Sequence, residues 1–380
     1  MNREAAFLLA AVRRFLRPQW PLPATQDLDW DRLASLAAAH TVIPQLYVAV
    51  KDSPVPPDWL GRLREQFEAA GRFNLALSSE LVRLLWVFER EGIAAVPLKG
   101  PALAVALYGN LALRASSDLD LLIHPRDFPR VRSLLACNGY RQTSVQHWPG
   151  DAPVFRARER QISFLDASGA FSVDVHWHPL PTYIPENFAP ARIWDTLQGI
   201  TLGGREVRTL APAYLLLYLC AHGGKHGWER LAWICDLARL LQREPELDWN
   251  AVLEEARRTR TRRMLAAGLL VAGDLLGSDL PSPAARFVAE VPQARALANA
   301  VWSRFESNTR IPTPALDMTG FCLRLFDTPG QRLRLIFGTW IGPSEADYRA
   351  LKLPPFLFPL YYAYRPLRLV LRRLLGRSRW

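Results

Sequence analysis

Lysine is nearly missing from this chain. Of 47 basic residues only Lys51, Lys99, Lys225 and Lys352 are lysines, and the rest are arginines. With arginine as the default cation, each surviving lysine is informative, because a compact ammonium and a planar guanidinium suit different partners. Cysteine is scarce too. The four present (Cys137, Cys220, Cys235, Cys322) include no C-x-x-C pair, which excludes a zinc ribbon and a disulfide scaffold and suits buried small hydrophobes in a reducing compartment. No apolar run reaches the roughly 20 residues of a bilayer-spanning helix; a late run over 353–364 is broken by Pro354, Pro355 and Pro359. The stretch from Ala5 to Val12 is short, follows Glu4 and precedes Arg13 and Arg14, so it reads as an amphipathic helix and not as a secretion signal. A cytoplasmic protein with no transmembrane segment is the expectation.

What is present is ample apolar material. At 49% hydrophobic over 380 residues the chain can fill two or three cores, and its 30 scattered prolines punctuate many elements. The net charge of +11 is uneven: residues 361–380 carry six arginines and no acid. Elsewhere the chain is only modestly basic, so its overall charge does not argue for a nucleic-acid partner.

The pattern divides the chain into a helical N-terminal region over 1–92, a mixed α/β core over 93–209, a helical C-terminal domain over 210–350 and an aromatic, arginine-rich tail over 351–380. The fold class is α+β, a small mixed sheet flanked by helical segments. Helices are predicted from Glu4 to Arg17, from Asp29 to His40 behind an aspartate cap, and from Asp58 to Glu91. Strands are predicted over Ile93–Leu98, Leu119–Ile123, Tyr140–Val145, Gln161–Asp166 and Phe171–Trp177, with Ala167-Ser168-Gly169 as a hairpin turn. Between them, Gly100-Pro101 opens a helix that ends near Tyr108-Gly109, and Pro125 to Asn138 forms another, closed by Gly139. Later helices span Tyr214–Ala221, Trp228–Leu241, Trp249–Thr259 and Arg263–Leu276.

Asp118-Leu119-Asp120 begins a strand, where residues two apart share a face. Both carboxylates then point one way, a hard-oxygen pair suited to Mg²⁺; a solvated pair at a strand edge is the alternative. The turn at Lys99-Gly100 meets a helix N-terminus, which favours phosphate, so turn and carboxylates together suit a metal-chelated triphosphate. A third acid, Asp174, lies within the alternating strand Val173-Asp174-Val175-His176-Trp177. Burying it needs a metal or hydrogen bonds.

Leu98-Lys99-Gly100, Tyr108, Arg114, Asp118-Leu119-Asp120-Leu121-Leu122, Gly139-Tyr140 and Asp174-x-His176-Trp177 occur in an order that resembles the uncharacterised nucleotidyltransferase family of the DNA polymerase β-like superfamily. Trp30-Asp31-Arg32-Leu33, Ala39-His40, His222-x-x-Lys225-His226-x-Trp228-x-Arg230-Leu231 and Trp233-x-x-Asp236-Leu237 are similar to it as well, so the resemblance covers roughly residues 29–245. It implies transfer of a nucleoside monophosphate from a nucleoside triphosphate, with two Mg²⁺ ions on Asp118, Asp120 and Asp174 and release of pyrophosphate. The cofactor-binding candidates are Lys99, Gly100, Arg114, His176, Lys225 and His226. The superfamily's glycine-rich turn here reads Lys99-Gly100-Pro101; proline supplies no N–H, and Lys99 replaces a donor with a charge.

His222-Gly223-Gly224-Lys225-His226 reads as a loop, because two glycines disfavour a continuous helix, and it serves phosphate, base or structure. A zinc site joining His176, His222 and His226 lacks the usual ligand motif. His176 is expected to orient Asp174 or touch nucleotide, and Asp236 to pair with an arginine or a helix end. The tail reads as a helix docking its Leu367, Leu371 and Leu374 face on the body with its arginines solvated; its basic and aromatic content also suits peripheral contact with anionic membrane or RNA. The acceptor is a small hydroxylated molecule or a protein side chain. An RNA- or tRNA-directed transferase and a catalytically silent nucleotide- or membrane-binding module are the alternatives.

Overall fold

The computed structural model describes residues 2–143, 160–180, 190–306 and 315–374. Four helices come first: α1 (Arg3–Leu16), α2 (Trp30–Ala39), α3 (Ile43–Val50) and α4 (Pro57–Arg90). Asp29 caps α2 by accepting the Arg32 N–H. The α/β part follows as β1 (Ala95–Pro97), α5 (Gly100–Tyr108), β2 (Leu119–Ile123), α6 (Phe128–Cys137), β3 (Tyr140–Gln142), β4 (Gln161–Asp166), β5 (Ser172–His176), α7 (Pro190–Asp195), β6 (Gln198–Leu202) and β7 (Arg205–Thr209). Helices then return as α8 (Pro212–Lys225), α9 (Leu231–Arg243), α10 (Trp249–Arg258), α11 (Arg262–Leu276), α12 (Ser282–Ala289), α13 (Gln293–Glu306), α14 (Ala315–Leu325), α15 (Pro329–Ile336), α16 (Glu345–Ala350) and α17 (Tyr361–Leu374). The protein is α+β, with helices at both ends of a mixed sheet.

The strand order is β1-β2-β5-β4-β3, and β6 and β7 form a separate hairpin. Among the described strands only β2 and β5 pair in parallel. Leu119, Leu121 and Ile123 bury one face of β2 against Leu84 and Phe88 of α4 and Val131 of α6, each apolar side chain contributing about 1.5–3 kcal/mol. That alternation turns Asp120 to the opposite face. A second core joins α1 and α3 to α8, α9 and α11 through residues such as Leu8, Leu46, Leu216, Leu237 and Leu265.

Several expectations change. The helix expected to stop at Ala221 continues to Lys225. Its glycines are there for close packing: a side chain at Gly223 would collide with the Trp228 indole. Trp228, expected inside the next helix, takes a left-handed φ of 47° in the turn before α9, its N–H bonded to the Gly223 carbonyl at 2.8 Å. The strand expected to run to Val145 is seen as Tyr140–Gln142, and residues 144 and 145 lie outside the described residues. Cys220, Cys235 and Cys322 are buried, but Cys137 is exposed.

The tail reverses its expected orientation. Leu367 and Leu371 are exposed, whereas Arg365 is buried and Arg368 pairs with Asp347. Arg377 and Arg379, with the side chains of Arg372, Arg373 and Leu374, lie outside the described residues. No described helix is long and apolar enough to cross a membrane.

Candidate active site

The parallel pairing of β2 with β5 sets Asp120 directly opposite Asp174 in register. Asp118 lies just before β2, so three acids from two separated segments meet at one end of the sheet. The Leu98 N–H bonds the Asp120 carbonyl at 2.9 Å, which carries the following turn to the same edge. Gly100 takes a φ of +67°, and a Cβ there would come 3.2 Å from the Asp118 carbonyl oxygen. Only glycine gives both the left-handed backbone and that close approach.

Around these acids opens a cleft of about 570 Å³. The sheet side contributes Lys99, Gly100, Asp118, Asp120, Asp174 and His176, and the C-terminal helices close it with Tyr218, His222, Lys225, His226, Arg230 and Trp233. Arg114, Gln161 and Glu229 add to the polar lining. Every site residue proposed from the sequence lines this cleft, and two of the chain's four lysines are among them.

Asp120 is buried between two partners. Its Oδ1 lies 3.1 Å from His176 Nε2 and its Oδ2 lies 3.0 Å from Lys99 Nζ. The lysine contact is an ion pair without hydrogen-bond alignment, so Oδ2 is compensated in charge but makes no hydrogen bond. Burial pushes the Asp120 carboxyl upward, but Lys99 and His176 outweigh it and hold the group well below the ordinary carboxylate range. Asp118 behaves oppositely: burial first, and then the Asp120 charge, raise its carboxyl. It accepts a hydrogen bond from Ser117 Oγ at 3.2 Å, and Asp174 accepts one from Gln161 Nε2 at 3.2 Å.

His176 therefore bonds Asp120 rather than orienting Asp174, one of its two expected roles. Ligand atoms of Asp120, Asp174 and His176 all lie within 4.8 Å of one another, a cluster in which His176 stands where the sequence pattern led us to expect Asp118. The carboxylate oxygens and the Asp120 oxygen that lacks a hydrogen bond suit a hard divalent cation. His222 and His226 join no metal-ligating cluster among the described residues. Their rings pack 5.1 Å apart and both contact Trp233. Burial, with the positive charges of Lys99 and Lys225, lowers both, His226 to about 3. Burial, then Lys99, lowers the Lys225 ammonium to about 8, opposed by Asp120 and Asp174.

Behind the cleft sits a saturated ion pair. Arg114 donates from Nε and Nη2 to Asp236 at 3.0–3.1 Å, and Tyr108 Oη donates to the same acid at 2.8 Å. Asp236 thus pairs with an arginine, as expected, while Arg114, a nucleotide-binding candidate, spends its fork on this clasp. Asn74 and Gln45 pin the loop by donating to the carbonyls of Leu111 and Leu113 at 2.8 and 2.9 Å. His40 caps α9, its Nδ1 accepting the Leu231 N–H at 3.3 Å.

The profile of the uncharacterised nucleotidyltransferase family matches residues 26–277, about two thirds of the chain. The chain belongs to that family. No curated protein and no solved structure matches it. The family and the cluster of Asp120, Asp174 and His176, the first and last of them buried, together support metal-assisted nucleotidyl transfer in its general form. Tyr218 and Gln161 escaped the sequence reading. Tyr218 lies four residues before His222 on α8, so reading the helix through Lys225 would have put both on one face. Burial, then the charges of Asp120 and Asp118, push its phenol well up.

Proposed function

We propose that the cleft moves a nucleoside monophosphate from a nucleoside triphosphate to a hydroxyl acceptor and releases pyrophosphate. The observation that carries this reading is the in-register pairing of Asp120 with Asp174 on parallel strands, with Asp118 at the same edge. Asp118, Asp120 and Asp174 would hold Mg²⁺, in two ions. Bound there, Mg²⁺ supplies charge neutralisation for the triphosphate and a lowered pKa for the attacking oxygen.

The chain's own groups do the rest. Lys99 exchanges its contact with Asp120 for the triphosphate, and Lys225 adds a second ammonium on the opposite wall. Asp174, steadied by Gln161, takes the proton of the acceptor hydroxyl as its oxygen bonds to the α-phosphorus. The bond from that phosphorus to the bridging oxygen breaks, and pyrophosphate leaves with the electron pair. Tyr218, protonated throughout, offers a donor beside the carboxylates.

We take the acceptor to be a small hydroxylated molecule or a protein side chain. The cleft lining balances Lys99, Arg114, Lys225 and Arg230 against Asp118, Asp120, Asp174 and Glu229, which provides no basic track for a polynucleotide. Incubation with α- or γ-labelled triphosphate, Mg²⁺ and a cell extract tests the reading. The expected result is α-label retained on an acceptor and reduced by Lys99→Ala. Transfer of γ-label alone would replace it with phosphoryl transfer, and no transfer from either would leave a nucleotide-binding module.

A further inference from the structure

Beyond the family match, residues 329–374 gather into an appendage whose polarity is inverted. At its centre Asp347 is 0% exposed. It accepts from Arg365 Nη1 at 2.7 Å, from Arg368 Nε at 2.6 Å and from the Ser344 N–H at 2.7 Å. Arg365, only 8% exposed, donates as well to the Thr339 carbonyl. Charge lies inside. Of the twelve large apolar side chains exposed among the described residues, ten fall within residues 333–371, led by Phe356 at 78%, Leu333 at 66% and Leu367 at 58%.

Helix α17 shows the inversion along one element. Leu360 just before it, then Ala363, Leu367, Val370 and Leu371, recur at three- and four-residue spacing and are all exposed. Tyr361, Arg365 and Arg368 form the inward face. A helix bathed in water has the opposite arrangement. The surroundings are basic: residues 329–380 contain ten arginines and lysines against two acids, and one of those acids, Asp347, is saturated internally. Arg334, Arg349 and Lys352 stand exposed among the apolar side chains.

We propose that this face lies flat on an anionic bilayer surface. Aliphatic side chains enter the boundary between headgroups and acyl chains while the basic residues meet lipid phosphates, two modest signals that reinforce each other. With no spanning helix among the described residues, the attachment is in the plane of the interface. RNA fits less well. Arg365 and Arg368 are turned inward, and of the ten exposed apolar side chains eight are aliphatic, only Phe337 and Phe356 offering an aromatic face for stacking on bases.

The inference is independent of the chemistry in the cleft, and its test uses the full chain. Co-sedimentation is measured with vesicles of phosphatidylcholine alone and of phosphatidylcholine mixed with phosphatidylglycerol. Binding is expected to the mixed vesicles, and L367Q/V370Q/L371Q is expected to weaken it about tenfold or more. R334Q/R349Q/K352Q is expected to weaken it and to reduce its dependence on the anionic lipid. All six positions are exposed, and an unchanged thermal melt verifies each fold. Indifference to the anionic lipid, or equal binding by the triple glutamine variants, would overturn the proposal. So would binding of a uridine homopolymer in place of vesicles. A dimer in sedimentation velocity that L367Q/V370Q/L371Q dissolves, with no vesicle binding, would assign the face to a second copy.

Discussion

Asp120, which lines the cleft, and Asp236, which sits behind it, are both buried, yet their surroundings differ. Asp236 receives a two-point arginine fork and a tyrosine hydroxyl, so its charge and lone pairs are satisfied. Asp120 has a histidine on one oxygen and, on the other, a lysine at ion-pair distance without a hydrogen bond, while its neighbour Asp118 is pushed toward protonation. The first arrangement closes a wall. The second leaves carboxylate capacity in an open cleft, as a site for cation and phosphate requires.

The comparison is tested most severely by removing each acid. Asp236→Ala strands Arg114 without its counter-charge and is expected to cost about 3–5 kcal/mol in urea unfolding. Asp118→Asn should leave stability unchanged or raised, because the carboxylate it removes is disfavoured by burial and by Asp120, yet abolish Mg²⁺-dependent triphosphate binding in calorimetry. A large stability loss from Asp118→Asn with intact binding would exchange the two roles.

Asp174→Asn sharpens the functional side. It is expected to keep near-normal triphosphate affinity while turnover falls by about a hundredfold or more, the general-base range. Equal losses of affinity and turnover would make Asp174 another triphosphate-side ligand.

The smallest effect concerns the opposite wall. Burial, with the cationic surroundings, holds His222 and His226 below the ordinary 6.5, so the unfolded chain binds more protons as the medium acidifies. The stability contributed by each neutral imidazole is full above pH 6.5 and declines as pH falls toward the folded value. For His226, held at about 3, the loss between pH 7.5 and 5.5 is about 1.4 kcal/mol, and His222 adds a loss of the same sign. Chemical denaturation at the two pH values should show it, and His226→Gln should remove one share; an unchanged pH dependence in that variant would mean that His226 is solvated.

Much of this was legible in short patterns. The strands Leu119–Ile123 and Gln161–Asp166 have the bounds expected from the sequence. Gly109 and Gly139 take the left-handed φ expected where a helix stops. Asp29 caps α2 for the same local reason. By contrast, Gly223 and Gly224 looked like helix breakers because their propensity is all a linear reading offers, whereas the need for space beside Trp228 arises only after folding.

The site divides in the same way. The sequence by itself determined that Asp120 faces away from Leu119 and Leu121, since strand geometry imposes that period whatever the strand packs against, although the strand begins at Leu119 and leaves Asp118 in the approach to it. It determined too that Asp174 is the alternating strand's unusual acid. Only the tertiary structure decided that β5 lies parallel to β2 with Asp174 opposite Asp120, that His176 reaches Asp120, that Asp236 takes up Arg114, and that α17 turns its arginines in and its leucines out. Those outcomes depend on which surfaces are left to be covered once distant segments meet, and strand register and buried charge pairs are settled by that competition among long-range contacts.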